Sequence, residues 1–337
     1  MKRVLLPVAF GAALLFPGRA LADDVGDWVG DFDKAVAQAR AEHKDLLVDF
    51  TGSDWCGWCI KLHGEVFEHE AFLSSAKKDY VLVALDFPNA PEVKARVPNP
   101  ERNAELAKKY GVQGYPTVLL MTADGDVFGR TGYQPGGPEA YVTHMGELRS
   151  AGRPGLEAAI KSVAAIQAAT GDEQVALLGK AIDELAALDP EKAWGAKLAE
   201  GVRVAVTLDK DGTLGLRERA VVALFKSGHA GDAERKLATE LDPKNEKGLL
   251  EQAVEAQCQS VASKEDVAAA VPAIKALAAF AIQDKERAQR ILVNGAYWAW
   301  KVTEDLETAK FLAGKAKELG IEDPRFRQVI EQILSAE

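Results

Sequence analysis

The chain has 337 residues, of which 47% are hydrophobic and 27% charged, and a formal net charge of −10 at pH 7. This acidic balance argues against nucleic acid or an anionic lipid surface as a partner, because the phosphates of either would repel the chain. Only three cysteines occur, which excludes a framework of several structural disulfides. The length suggests two domains.

The N-terminus has the pattern of a secretory signal peptide. Lys2 and Arg3 form a basic start, a largely apolar stretch follows, and Ala20-Leu21-Ala22 fits a small-x-small cleavage site. The apolar stretch is shorter than the ~20 residues of a membrane-spanning helix. We therefore predict a signal peptide over residues 1–22 and a periplasmic or secreted protein. A retained N-terminal anchor is the alternative.

Residues 23–150 have the mixed composition of an α/β domain. Apolar residues at helical spacing cover 32–43, and the apolar runs 45–51 and 80–86 are typical of buried strands. A helix from Cys56 to Leu62, stopped by Gly64, is predicted between these strands. The other predicted elements are helices over 69–78, 101–110 and 138–149 and a hairpin of strands 117–121 and 127–131.

The run Trp55-Cys56-Gly57-Trp58-Cys59 places a C-x-x-C pair just after a strand and at the start of a helix. This arrangement predicts thiol–disulfide exchange, because unpaired backbone N–H groups and the helix dipole stabilise a thiolate at a helix N-terminus. Cys56 is the predicted nucleophile, and Cys59, one turn further, is the predicted resolving thiol. Gly57 would let a substrate backbone approach, and Trp55 and Trp58 would offer apolar surface on either side.

Three pieces in order resemble the thioredoxin family. They are the strand Leu46–Phe50 with its acidic residue, the run from Trp55 to Cys59, and Gly114-Tyr115-Pro116-Thr117, which resembles the cis-proline loop that faces the dithiol in this family. The segment Glu65-Val66-Phe67 is similar to the secreted subfamily that includes the C-terminal domain of the periplasmic disulfide reductase DsbD. The resemblance covers about residues 27–150 and implies a thioredoxin fold, with a central mixed sheet flanked by helices.

The resemblance also implies roles for individual residues. Asp49 would assist deprotonation of the resolving cysteine, although six residues separate it from Cys56, one more than in thioredoxin, so that the turn at 51–53 must absorb the extra residue. An acid that merely ends a strand is the alternative. Tyr115 and Pro116 would contact substrate. No cofactor is implied besides the redox-active pair, and Trp58, where thioredoxin has proline, leaves the redox potential and the direction of electron flow open.

Metal binding is the rival interpretation of the cysteines. Cys56, Cys59, His63 and His69 form a C-x-x-C-x3-H-x5-H series that suits Zn or Cu. Four ligands on one short helix cannot all converge tetrahedrally, so we predict no metal site. His63 and His69 are then expected to be surface histidines, as is His144.

Residues 151–337 predict an all-helical domain. The segment 151–155, Ala-Gly-Arg-Pro-Gly, is expected to break the preceding helix, and the rest is rich in Ala, Leu, Glu and Lys with helical periodicity. The predicted helices cover 156–169, 172–188, 190–207, 216–229, 230–241, 245–261, 264–283, 285–302, 304–319 and 324–334. Two Leu-Asp-Pro junctions resemble those of tetratricopeptide helix pairs, but no period of 34 residues is sustained. A helical-repeat array that binds a protein and a bundle with no partner both stay open.

Four residues of this domain carry individual predictions. Tyr297, Trp298 and Trp300 are expected to be core residues. Cys258 is expected to be a buried thiol, with a mixed disulfide to Cys56 as the alternative.

Together these patterns predict an exported thiol–disulfide oxidoreductase that reduces or isomerises disulfides in other extracytoplasmic proteins. Its partners would be protein thiols or disulfides, a membrane or soluble electron donor, and a protein bound by the helical domain. The alternative is a non-catalytic scaffold that uses the thioredoxin-like domain as a platform. The intact dithiol, the flanking tryptophans and Pro116 count against a scaffold, which needs none of them.

Overall fold

The structure is a computed structural model that describes residues 27–261, 263–320 and 323–337. The predicted signal peptide lies outside these residues. The chain divides into two compact units: one holds the residues up to Gly125 together with Arg130–Glu147, and the other holds Asp126–Gly129 together with Leu148–Glu337. In the part of the chain that the structure describes, no helix has the length and hydropathy needed to cross a membrane.

A mixed five-stranded sheet forms the centre of the α/β part, as predicted. Its strands are Trp28–Val29 (β1), Asp45–Thr51 (β2), Tyr80–Asp86 (β3), Thr117–Met121 (β4) and Val127–Thr131 (β5). The spatial order is β1-β3-β2-β4-β5, with β3 parallel to β1 and β2, and β4 antiparallel to β2. All residues of β2 and β3 are buried, which explains their nearly continuous apolar sequences.

Helices surround this sheet. They are Phe32–Glu42 (α1), Gly57–Leu62 (α2), Glu70–Asp79 (α3), Pro91–Lys94 (α4), Pro100–Lys109 (α5) and Gly137–Ala168 (α6). The α-helix α2 ends at Leu62, as predicted, but the expected stop at Gly64 is wrong, because the helical path continues as a π-helical turn over His63–Phe67. This turn buries Phe67, whose ring lies 4.9 Å from that of Trp28 and 4.8 Å from that of Phe72. Aromatic packing therefore outweighs the roughly 1 kcal/mol that glycine costs inside a helix.

The predicted break at residues 151–155 is also wrong, because α6 runs through it and contains Pro154. Its two glycines allow close packing instead of ending the helix. A Cβ atom at Gly152 would collide with the carbonyl oxygen of Phe128, and one at Gly155 would collide with the indole of Trp194. Tertiary contacts at these small residues decide the local structure here, and the boundary between the two compact units falls within α6.

The C-terminal region is largely helical, as predicted. Its helices after α6 are Gly171–Ala187 (α7), Gly195–Leu208 (α8), Arg217–Lys226 (α9), Asp232–Leu241 (α10), Leu249–Gln259 (α11), Lys264–Leu277 (α12), Lys285–Lys301 (α13), Leu306–Glu318 (α14) and Pro324–Ser335 (α15). Asp209 and Asp242 directly follow α8 and α10 and join each of them to the next helix in the same manner. Each is buried and accepts a hydrogen bond from the backbone N–H seven residues later, at Leu216 and Leu249 respectively.

The aromatic residues of α13 divide between core and surface. Trp298 and Trp300 are partly buried against a core that includes Ile291, Leu292 and Leu312. Tyr297 is 46% exposed, so its predicted core position is wrong. Its helical neighbours Ala296 and Ala299 are fully buried, and residue 297 points away from the face that they form.

Candidate active site

The two cysteines lie where the central strand β2 leads through a short loop into α2. Cys56 is the N-cap residue of α2, and its Sγ accepts a hydrogen bond from the backbone N–H of Cys59 at 3.3 Å. The two cysteines form a disulfide with a Cα–Cα distance of 5.2 Å. Cys56 keeps 6% of its surface exposed, whereas Cys59 has none. An incoming sulfur would therefore meet Cys56 first.

One more residue separates Asp49 from Cys56 than in thioredoxin, and the loop before Cys56 accommodates it. The backbone N–H groups of Trp55 and Cys56 both donate to the Gly52 carbonyl, which closes a tight turn. Gly52 is required because a Cβ atom there would lie 2.6 Å from the Trp55 indole. Ser53 donates to Asp86 through its N–H and its hydroxyl, at 2.9 and 2.6 Å. Burial raises the pKa of Asp86, although both hydrogen bonds from Ser53 act in the opposite direction.

One aromatic group lies on the Trp55 side of the disulfide. The Trp55 indole donates to the Phe87 carbonyl at 2.8 Å and meets the Tyr115 ring edge-on at 5.7 Å, while Tyr115 and Phe87 lie 5.3 Å apart. The Tyr115–Pro116 peptide bond is cis, as the family resemblance implied. Burial raises the pKa of the Tyr115 hydroxyl. The contact between Trp55 and Tyr115 brings the cis-proline loop beside the residue that precedes Cys56.

A second aromatic group lies on the Trp58 side. Trp58 is 57% exposed, and its ring lies 5.0 Å from that of Tyr133. The Lys61 ammonium lies over both rings, 5.3 Å from the Trp58 centroid and 4.9 Å from the Tyr133 centroid. Tyr133 donates to Glu65 Oε2 at 2.7 Å. We call Trp58, Lys61, Glu65 and Tyr133 the Trp58 platform. It is an ordered surface with apolar and charged parts.

Gly57 lies at the first position of α2, between the two tryptophans in sequence. No described atom lies within 4 Å of a Cβ atom built on it, so the space above its backbone is open. This opening fits the predicted approach of a substrate backbone.

Asp49 lies in the middle of β2 and is completely buried. Its Oδ2 lies 2.8 Å from Nε2 of His63, which is buried as well. The prediction of a surface histidine at position 63 is therefore wrong. The reason is the π-helical turn, which turns His63 toward Trp28 and Phe67, with ring centroids 5.8 and 5.2 Å away. His69 is exposed, as predicted, with Nε2 3.0 Å from the Gly64 carbonyl, and His144 is partly exposed.

The four residues considered as metal ligands do not come together around one point; each has another partner. Cys56 and Cys59 bond to each other, His63 contacts Asp49, and His69 contacts a backbone carbonyl. Across residues 27–261, 263–320 and 323–337, no group of three or more His, Cys, Asp or Glu side chains is placed to hold a metal ion.

Comparison with known proteins agrees with this geometry. A family model described as a thioredoxin-like domain matches residues 32–144. The disulfide bond reductase DsbH of Chlamydia pneumoniae is 35% identical over 116 residues, which cover 34% of this chain and 68% of DsbH. The chain belongs to the thioredoxin-like family.

Other relatives also match only part of this chain. The thioredoxin-related protein DsbJ of the same organism is 28% identical over 28% of this chain and 27% of its own length. A protein disulfide-isomerase of Zea mays is 37% identical over 28% of this chain and 15% of its own length. A solved structure of a DsbH oxidoreductase is 30% identical, with a TM-score of 0.32, over 43% of this chain and 95% of that one. The family and the named relatives support thiol–disulfide oxidoreductase activity.

Sequence reasoning missed part of this thioredoxin-like site. It singled out the two cysteines, the tryptophans, Asp49, Tyr115 and Pro116, but not Tyr133, Gly52 or the role of His63. Tyr133 follows β5 and is far from Trp58 in sequence, so no local pattern connects the two. For His63, one signal was present: it follows Cys59 by four residues and therefore lies on the same helix face.

Proposed function

We propose that this protein is an extracytoplasmic thiol–disulfide oxidoreductase that reduces or isomerises disulfides in other exported proteins. The observation that carries the proposal is the position of the Cys56–Cys59 disulfide at the N-terminus of α2, where the preceding Trp55 contacts Tyr115 of the cis-proline loop. The backbone N–H groups of this helix start stabilise negative charge on Cys56. The fully buried Cys59 is placed to act second.

Reduction of a substrate proceeds in two exchange steps. In the reduced protein, the Cys56 thiolate attacks one sulfur of a substrate disulfide, the substrate S–S bond breaks, and its other sulfur leaves as a thiolate that takes a proton from water. A mixed disulfide now joins Cys56 to the substrate. Cys59 then loses its proton to Asp49 and attacks Cys56 Sγ. The mixed disulfide breaks, the second substrate sulfur leaves, and two electrons have moved from the protein to the substrate.

The cycle closes when a membrane or soluble dithiol donor reduces Cys56–Cys59 again. Isomerisation needs no net electron transfer, because the substrate thiolate released in the first step attacks a different disulfide of the same chain and finally displaces Cys56. No cofactor takes part in either cycle.

Substrate contacts are proposed on both sides of Cys56. Trp55, Tyr115 and Pro116 form one side, Trp58 forms the other, and Gly57 leaves room between them. A substrate segment in extended conformation would pair its backbone next to Pro116 and place apolar side chains on the indoles. The helical region would bind or position a partner protein, and residues 1–22 would direct export.

The proposal is tested by reduction of insulin disulfides with dithiothreitol as the donor. The protein with an intact dithiol should accelerate the reaction, and Cys56→Ser should abolish the acceleration, whereas Cys258→Ser should leave it unchanged. Cys59→Ala should trap substrates as mixed disulfides at Cys56 that a reductant releases. Absence of acceleration together with an unreactive Cys56 would reject the enzyme and favour the scaffold.

A further inference from the structure

His63 contacts the buried carboxylate of Asp49, the residue that accepts the Cys59 proton in the second exchange step. Asp49 is completely buried, and within the described residues its Oδ1 has no hydrogen-bond partner. Its Oδ2 lies 2.8 Å from His63 Nε2. A buried carboxylate with only one hydrogen-bonded oxygen lowers the stability of the fold. If Asp49 had a purely structural role, we would expect a second hydrogen-bond donor, or an apolar residue in its place.

The pair lies on the face of the helix that carries the resolving thiol. The His63 backbone N–H donates to the Cys59 carbonyl, which places the two side chains one turn apart on one face. Asp49 reaches that face from β2. Since Cys59 is also fully buried, all three groups lie where water is excluded, and a proton leaving Cys59 needs an acceptor inside the protein.

The groups around the pair leave Asp49 as that acceptor. Trp28 and Phe67 cover the imidazole with apolar rings. Tyr141 of α6 also lies near Asp49, and burial, followed by the negative charge of Asp49, raises the pKa of its hydroxyl. Its hydroxyl donates to the Gly132 carbonyl at 3.0 Å and is thereby occupied. Glu65, on the same turn as His63, is engaged with Tyr133 at the surface.

We propose that His63 is a positioning residue for the resolving step and acts through Asp49. A carboxylate can only accept, so His63 Nε2 carries the proton and donates it to Oδ2. This hydrogen bond fixes the orientation of the Asp49 carboxylate, and Oδ1 is left to accept the Cys59 proton. The S–H bond of Cys59 breaks, the proton moves to Oδ1, and the sulfur attacks Cys56 Sγ. The inference rests on the proposed function, because it assigns a residue to its second step.

Loss of the His63 donor should then slow one step only. Without the donor, the Asp49 carboxylate loses the hydrogen bond that fixes its orientation, and Oδ1 is no longer directed to accept the Cys59 proton. The first exchange step, made by Cys56, does not use this pair. The resolving step should slow by roughly tenfold or more, because general-base catalysis contributes about 10²–10⁴ in rate.

The two steps can be separated with dithiobis(nitrobenzoate) and the reduced Cys258→Ser protein. Attack by Cys56 releases one coloured thiolate, and attack by Cys59 on the mixed disulfide releases the second. Glutamine at position 63 places its amide nitrogen near the position of Nε2, whereas asparagine is too short. We expect His63→Gln to keep the rate of the second release and its pH profile, and His63→Asn and His63→Leu to slow the second release.

Two further variants complete the test. His69→Asn removes an exposed histidine six residues further along and should change neither release. Asp49→Asn should slow the second release, and adding His63→Asn to it should slow it no further, because His63 acts only through Asp49.

Two results would overturn the inference. One is a second release at the wild-type rate and pH profile in His63→Asn, with folding verified by circular dichroism. The other is a double variant, Asp49→Asn with His63→Asn, whose second release is slower than that of Asp49→Asn alone by the full effect of His63→Asn. That result would indicate a structural role for His63. Because the reagent is a small molecule, these results do not depend on reduction of a protein substrate. A failure of the proposed function would instead appear as two normal releases without turnover of insulin.

Discussion

The ring of Trp58 lies 5.0 Å from the ring of Tyr133, a residue that follows the last strand of the sheet. Lys61 lies over both rings, and Glu65 accepts the Tyr133 hydroxyl proton in a hydrogen bond. The exposed Trp58 indole therefore has neighbours on the protein surface that favour this orientation. A preorganised aromatic surface lowers the entropy that binding would otherwise cost.

Truncation of the Trp58 platform should weaken substrate binding without removing the chemistry. For Trp58→Ala we expect KM for a protein disulfide to rise about tenfold, as is usual for an aromatic contact residue, while exchange with glutathione disulfide stays nearly unchanged. Tyr133→Phe should have a smaller effect, because it removes only the hydrogen bond to Glu65. Tyr297→Ala, an exposed tyrosine of α13, is the matched control. Equal losses with both disulfides would contradict a role in substrate binding.

The close approach at Gly152 predicts a stability difference between two glycines of one helix. Gly152→Ala should lower the free energy of unfolding by about 1–3 kcal/mol, because its Cβ must displace the backbone of Phe128. Gly146→Ala lies in the same helix, where no described atom is within 4 Å of the new Cβ, and it should be neutral or stabilise by up to about 1 kcal/mol. Urea unfolding measures both. Equal effects would show that the contact with Phe128 is not tight.

Cys258 should be inert in the native protein. Burial, with a smaller contribution from the charge of Glu255, raises the pKa of its thiol to about 12, so at about pH 8 the thiol is protonated and a poor nucleophile. After mild reduction, iodoacetamide should modify Cys56 and leave Cys258 unmodified, as peptide mass spectrometry can show. Alkylation in guanidinium chloride is the control, since unfolding exposes all three thiols. Recovery of a peptide that links Cys56 to Cys258 would favour the mixed disulfide instead.

His229 should make the helical region less stable in mild acid. Burial, followed by the positive charge of Arg203, lowers the pKa of its imidazole below the ordinary 6.5, and within the described residues its Nδ1 has no hydrogen-bond partner. The unfolded chain binds a proton at His229 more readily than the folded chain does. The contribution of the neutral His229 to the free energy of unfolding is therefore complete above the ordinary pKa of histidine. It is lost as the pH falls through that value toward the folded one.

Urea unfolding followed by far-ultraviolet circular dichroism, at about pH 8 and about pH 5, checks this expectation. His229→Gln should reduce the difference between the two pH values, whereas His69→Gln, which changes an exposed histidine, should leave it as in the wild type. An unchanged difference in His229→Gln would assign the acid sensitivity to other groups.

Most element boundaries could be predicted because they depend on local patterns. The apolar runs of β2 and β3 are continuous since both faces of these strands are buried, and the two strands of the hairpin occupy the predicted residues. The failures at Gly64 and at residues 151–155 share one cause. Glycine and proline disfavour a helix in isolation, but buried Phe67 in one case and close helix contacts in the other stabilise it.

The sequence by itself determined the dithiol, the helix start at Cys56, and the cis-proline loop, because each is specified by neighbouring residues and resembles a known family. Tertiary structure alone decided that His63 is buried against Asp49, that Tyr133 lies beside Trp58, and that Gly52 supports the Trp55 indole. These contacts depend on how the π-helical turn, the end of β5 and the loop before α2 pack around the sheet. Contacts between segments that are distant in sequence produce no periodic sequence pattern. The sequence pattern therefore predicted a surface position for His63, whereas packing buries it against Asp49.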